Sequence, residues 1–171
     1  MKKLFALALA LCLLFACAAA HAEKEFKWSD VESAAAAYPG DFLAIEETGM
    51  VFYVPETFEE ADLTEEEEEA GMLLLLSNGT NEVGVYTVSL EGKSVEDYLK
   101  EINAQDPENI VVNGFDAVNY DETEDDGGKS SSVLYELEGG KEAVIFTYTH
   151  MENEAFQPVA AIMMASVQEE E

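Results

Sequence analysis

The chain has 171 residues, of which 37 are Asp or Glu against 8 Lys and no Arg, for a formal net charge of −29 at pH 7. Such a field repels nucleic-acid phosphates and anionic membrane surfaces, and without arginine no bidentate phosphate fork can be built; nucleic acid, nucleotides and phospholipids are therefore not expected as partners. The length suits one domain with a core of its own.

Residues 1–22 read as a secretory signal peptide: Lys2 and Lys3 precede 17 uninterrupted apolar residues, 4–20, and Ala20 and Ala22 supply the small residues at −3 and −1 of a cleavage site. Cleavage leaves a single predicted domain of 149 residues, 23–171, with a net charge of −31 once Lys2 and Lys3 are gone. A lone transmembrane anchor is not expected, since 17 apolar residues sit at the lower limit of a bilayer-spanning helix and a cleavage site follows directly, and no membrane insertion is expected after cleavage. Leu14-Phe15-Ala16-Cys17 offers an alternative, a lipobox whose Cys17 is acylated and anchors the chain; bulky Phe15 suits that pattern poorly, so free secretion is the primary expectation. Both cysteines, Cys12 and Cys17, fall inside the segment, so the processed chain has no thiol for a disulfide, a thiolate metal site or a nucleophile.

Ser29-Asp30 can cap a helix running to Tyr38 with Val31, Ala34, Ala35 and Tyr38 on one side, stopped by Pro39-Gly40. A hairpin follows, 42–46 and 50–54 around Glu47-Thr48-Gly49. Residues 59–69 hold eight acids, with Thr64 and Glu67 in a capping-box relation. Residues 72–76 read as a buried strand that turns through Asn78-Gly79 into an alternating strand over 82–90. Asn78-Gly79-Thr80 also matches a glycosylation sequon, which a turn explains without sugar.

Ser94 and Asp97 open a helix with Val95, Tyr98, Leu99 and Ile102 at helical spacing, which should end before Pro107. Short strands at 110–112 and 115–120 flank Asn113-Gly114, an acid- and glycine-rich loop spans 121–128, and a hairpin joins 133–137 to 143–149. Pro158 suits the first turn of a last helix with Val159, Ile162, Met163, Ser166 and Val167 inward, after which residues 169–171 should fray. Strands joined by tight turns and three amphipathic helices predict an α+β fold, an α/β/α sandwich around a twisted, mainly antiparallel sheet of six to eight strands.

The order of these elements resembles the PsbP-like superfamily. The likeness rests on the strand opening Glu47-Thr48-Gly49-Met50-Val51-Phe52-Tyr53-Val54-Pro55-Glu56, the helix at Ser94, the Asn113-Gly114-Phe115 strand pair ending at Tyr120, and the C-terminal run Ala161-Ile162-Met163-Met164-Ala165-Ser166-Val167. The resemblance implies the α/β/α sandwich shared by photosystem extrinsic subunits, a nuclear Ran-binding release factor and small exported bacterial proteins. It also implies a module that binds other proteins, with no catalytic residues to carry over.

The residues themselves offer little chemistry. His150 is the one histidine left after processing; a triad with Ser130, Ser131 or Ser132 is arithmetically possible, but no nucleophile elbow accompanies them. One histidine and no cysteine cannot make a structural zinc site, though His150, Glu152 and Glu154 offer a weak one. Asp121, Glu124, Asp125 and Asp126 are weak calcium candidates: an EF-hand register from Asp121 puts Asp126 where glycine is needed and Ser132 at the bidentate position, while one from Glu122 puts Val133 there. No cofactor is expected. The reading is an exported, monomeric, non-enzymatic binding domain whose protein partner is basic, the alternatives being an acidic hydrolase using carboxylates and a weakly calcium-binding lipoprotein.

Overall fold

The computed structural model describes residues 24–124, 127–137 and 139–170. Eleven strands and four helices form there. In chain order they are β1 (Lys24–Phe26), α1 (Trp28–Ala35), β2 (Gly40–Ile45), β3 (Met50–Pro55), β4 (Glu59–Glu60), α2 (Glu65–Glu69), β5 (Met72–Ser77), β6 (Glu82–Ser89), α3 (Val95–Glu101), β7 (Gln105–Val112), β8 (Phe115–Thr123), β9 (Lys129–Glu136), β10 (Glu142–Tyr148), α4 (Gln157–Ala165) and β11 (Gln168–Glu169).

Eight strands make one sheet in the order β1-β7-β8-β9-β10-β6-β5-β4, and β11-β3-β2 make a second, smaller one. All pairings are antiparallel except β1 with β7. Period-2 alternation sends side chains of the large sheet to two cores. On one face Val83, Val85, Val133, Tyr135, Val144, Phe146 and Tyr148 meet the small sheet and α4; on the other Leu90, Tyr120, Leu134, Ala143 and Ile145 meet Leu99 of α3. A third cluster joins α1 to α4 through Val31, Ala34, Ala35, Tyr53, Ala161, Ile162 and Ala165. The architecture is thus α+β, with helices on both faces of a mainly antiparallel sheet.

Local signals that act over a few residues hold. Thr64 and Glu67 form the capping box, with the Thr64 N–H donating to Glu67 Oε2 at 2.7 Å and the Glu67 N–H to Thr64 Oγ1 at 3.3 Å. Ser94 Oγ accepts the Asp97 N–H at 3.2 Å. The Asn78 side chain closes its turn by accepting from the N–H groups of Thr80 and Asn81.

Longer-range structure departs from the sequence reading in several places. α1 starts at Trp28 and ends at Ala35, and the Trp28 N–H is capped by the Oδ1 of Asn113 at 2.8 Å in place of Ser29 or Asp30. α1 packs on α4 and Tyr53. α4 is buried from Val159 through Ala165 on every side, because it is enclosed by α1, the small sheet and the large one; it has no polar stripe. β7 runs through Pro107, which sits at a register shift between Gln105 and Glu108 and beyond the stretch covered by β1, so its missing N–H breaks no ladder. The loop expected over 121–128 is shorter, since β8 continues to Thr123 and β9 begins at Lys129. Gln168 and Glu169 pair with Val51 and Met50, and the Glu170 N–H donates to the Gly49 carbonyl, so the chain does not fray there.

Candidate functional site: an acid-walled cleft and an aromatic surface

The ends of β7, β8 and β9 and the segment before α4 enclose a cleft of about 400 Å³. Its walls carry Asp106, Asp121 and Glu152, with Glu122, Lys129 and Gln157 at its border. Register places Asp121 opposite Ser131 on one side and Gln105 on the other. Glu122 is half-buried and points to the opposite face of the sheet, where Ser132 Oγ donates to its Oε2 at 3.5 Å. Burial raises its pKa, the Glu124 charge raises it further, and the Ser132 bond offsets part of the rise. Glu152 is held in the opposite direction, lowered by hydrogen bonds from its own backbone N–H and the Lys129 N–H and by His150.

Of the weak calcium candidates, Asp121 and Glu124 are among the described residues. Asp121 lies in β8, and Glu124 is fixed in the following turn, its N–H donating to the Gly128 carbonyl and its carbonyl accepting from the Gly127 N–H. Among the described residues no three His, Cys, Asp or Glu side chains are grouped to hold a metal ion. Asp125 and Asp126, like Cys17, Ala20 and Ala22, lie outside the described residues. The serines and His150 do not form a triad: Ser132 Oγ is bonded to Thr147 Oγ1 at 2.9 Å, Ser131 Oγ accepts from Asn119 at 3.1 Å, and His150 Nδ1 sits 3.4 Å from Glu152.

A second surface lies on the small sheet. The rings of Trp28, Phe42 and Tyr53 pack in a triangle with centroids 5.2, 5.3 and 5.7 Å apart, and Phe42 is 41% exposed, the exposed large apolar side chain among the described residues. Asp41 and Glu56 stand close enough to raise the Tyr53 pKa, after the larger effect of desolvation. The sequence reading placed Phe42 in a hairpin strand and gave it no further role. The signal it carried was its neighbourhood: residues 28–92 contain no lysine, arginine or histidine.

No family model matches the chain, and no curated protein matches it in sequence. Solved structures do. The chain resembles a protein of Bacteroides thetaiotaomicron at 17% identity and TM-score 0.48 over 72% of its own length, but spans only 46% of that longer chain. It also resembles the cyanobacterial PsbP protein, CyanoP, of Synechocystis sp. PCC 6803 at 10% identity and TM-score 0.56, covering 75% of this chain and 91% of that one. The fold is PsbP-like, as the order of the sequence motifs implies.

Proposed function

We propose that this protein is an exported, non-enzymatic binding domain that engages a basic protein of the cell envelope or exterior. The observation that carries the reading is the uninterrupted anionic stretch of residues 28–92, which includes the aromatic surface, α2 and the whole β2–β3 hairpin. The described lysine ion pairs gather elsewhere, around Lys24, Lys27, Lys93 and Lys100, with Glu91 the one acid of that stretch they reach. An excess field of one sign steers oppositely charged surfaces and discriminates against acidic ones. The PsbP-like fold supports a binding role by analogy. Export follows from residues 1–22, with acylation at Cys17 as the alternative fate.

Affinity selection from native envelope extract at low and high salt tests this reading. A basic protein retained at low salt and released at high salt is the expected result; retention of no basic protein above an unrelated bait of equal net charge contradicts it.

A carboxylate hydrolase is the second reading, favoured by one observation: Asp106, Asp121 and Glu152 wall a single cleft. Glycoside and ester substrate panels with the wild type and Asp121→Asn separate the two, since turnover abolished by that change establishes the enzyme.

A further inference from the structure

Every sheet edge is an unsatisfied row of backbone donors and acceptors, and folded proteins shield edges with short strands, bulges, proline or lysine. The large sheet does so: it ends in the three-residue β1, which carries Lys24, and in the two-residue β4. The small sheet does not at β2. This strand is six residues long, pairs one-to-one with β3 from Gly40↔Pro55 to Ile45↔Met50 without a register shift, and has no partner strand on its other side among the described residues. Its sequence, Gly-Asp-Phe-Leu-Ala-Ile, contains neither proline nor lysine. Phe42 and Ala44 are exposed along it, and Phe42 rests on the rings of Trp28 and Tyr53.

We propose that β2 is a docking edge for an extended segment of the basic partner, which adds as a fourth strand to the small sheet and lays a lysine or arginine over Phe42. The inference rests on the binding reading above and names the place and the mode. Main-chain hydrogen bonds to β2 supply affinity, and side chains at alternate positions supply selection. Asp41 on the strand, Glu46 and Glu47 in the adjoining turn and Glu56 beyond β3 surround the edge with carboxylates, all exposed. A cation placed over the Phe42 ring gains from the ring face and from these acids together. The same charges decide against a second copy of this chain as the occupant, because β2 against β2 would set Asp41, Glu46 and Glu47 beside their own kind.

The experiment is a peptide titration of the processed, 15N-labelled protein followed by backbone amide shifts. The probe is a ten-residue peptide alternating lysine with valine or threonine; the controls replace lysine with glutamate, or place proline at alternate positions so that no strand can form. The expected result is saturable shifts concentrated at residues 40–45 and the Trp28 indole with the lysine probe. Phe42→Ala and Ala44→Lys should each weaken binding at least tenfold. Ala44 is exposed, so its replacement leaves the core untouched, and a melting curve for each variant identifies any loss through unfolding. Equal binding of the proline control, shifts centred on residues 59–69 or the cleft, or an unchanged affinity in Ala44→Lys overturns the docking edge. A basic protein recovered in the salt-dependent selection together with a shift map that avoids β2 removes the edge and leaves the binding reading intact. A map confined to β2 with an empty selection does the reverse.

Discussion

The hydroxyl of Ser166 accepts the backbone N–H of Tyr53 at 2.7 Å and donates to the Met163 carbonyl at 2.6 Å, in a site with no solvent exposure. β11 pairs with β3 only at Val51 and Met50, so continuing that register leaves the Tyr53 N–H without a ladder partner where the chain has already turned toward α4. The serine hydroxyl completes the ladder by one bond and ties the end of α4 to the small sheet.

Ser166→Ala should therefore destabilise the protein by about 1–3 kcal/mol, the cost of leaving a buried donor unmet. Urea unfolding at neutral pH measures it. A change well under that range would mean that the Tyr53 N–H finds another acceptor.

Asn113 joins three elements with one amide. Its Oδ1 accepts the first N–H of α1, and its Nδ2 donates to the carbonyls of Ala165 and Val167 at 2.9 and 2.8 Å. Its backbone is left-handed, φ 49°, in the turn between β7 and β8. Asn113→Gly keeps that backbone and loses the three bonds, Asn113→Ala adds the left-handed penalty of about 1–2 kcal/mol, and Asn113→Asp turns a carboxylate on two carbonyls. Stability should fall in the order wild type, Gly, then Ala and Asp, as read by denaturant midpoints. Equal losses for Gly and Ala would show that the turn conformation carries no part of the effect.

The pH dependence of Glu122 has a definite sign. Burial favours its neutral form, so the folded state holds the proton more tightly than the unfolded chain; the associated stability is present below the ordinary glutamate range and is lost as pH rises through the raised folded value. Glu122→Gln should consequently melt higher than wild type at pH 7, with the difference vanishing toward pH 4. Thermal melts across that interval check it, and a variant that melts lower at pH 7 reverses the sign.

Intact mass of the protein recovered from its native cell fixes its N-terminus. A chain beginning at Glu23 is expected from cleavage after Ala22, and a diacylated chain beginning at Cys17 would move the protein to the lipid-anchored alternative.

What could be read from the sequence was what is decided within a few residues. The Thr64 and Ser94 caps and the Asn78-Gly79 turn depend on neighbours in the chain, and the structure places each where the pattern put it; β6 forms where expected, but Val83, Gly84 and Val85 are all buried, because both faces of the large sheet are covered. The cap of α1 was missed because its acceptor, the Asn113 side chain, lies 85 positions away. β11 was missed because two residues carry no periodicity and pair with a strand more than a hundred positions earlier. Pro107 marked the limit of α3 correctly, since that helix ends at Glu101, but not the start of β7, which runs through it at a bulge on a partly uncovered strand. The cleft was equally illegible: Asp106, Asp121 and Glu152 meet only because the start of β7, the end of β8 and the segment before α4 come together. The acidic loop that stood out in sequence contributes Asp121 to it through β8.

In-cell photo-cross-linking from position 42 tests the central claim most directly, with a benzophenone side chain in place of Phe42 and the same group at the exposed Glu96 on α3 as the control. A cross-linked product with a basic protein from position 42, absent from position 96, is the predicted result. No product, an acidic protein, or equal yields from both positions would contradict an anionic exported domain that captures a basic partner along this surface.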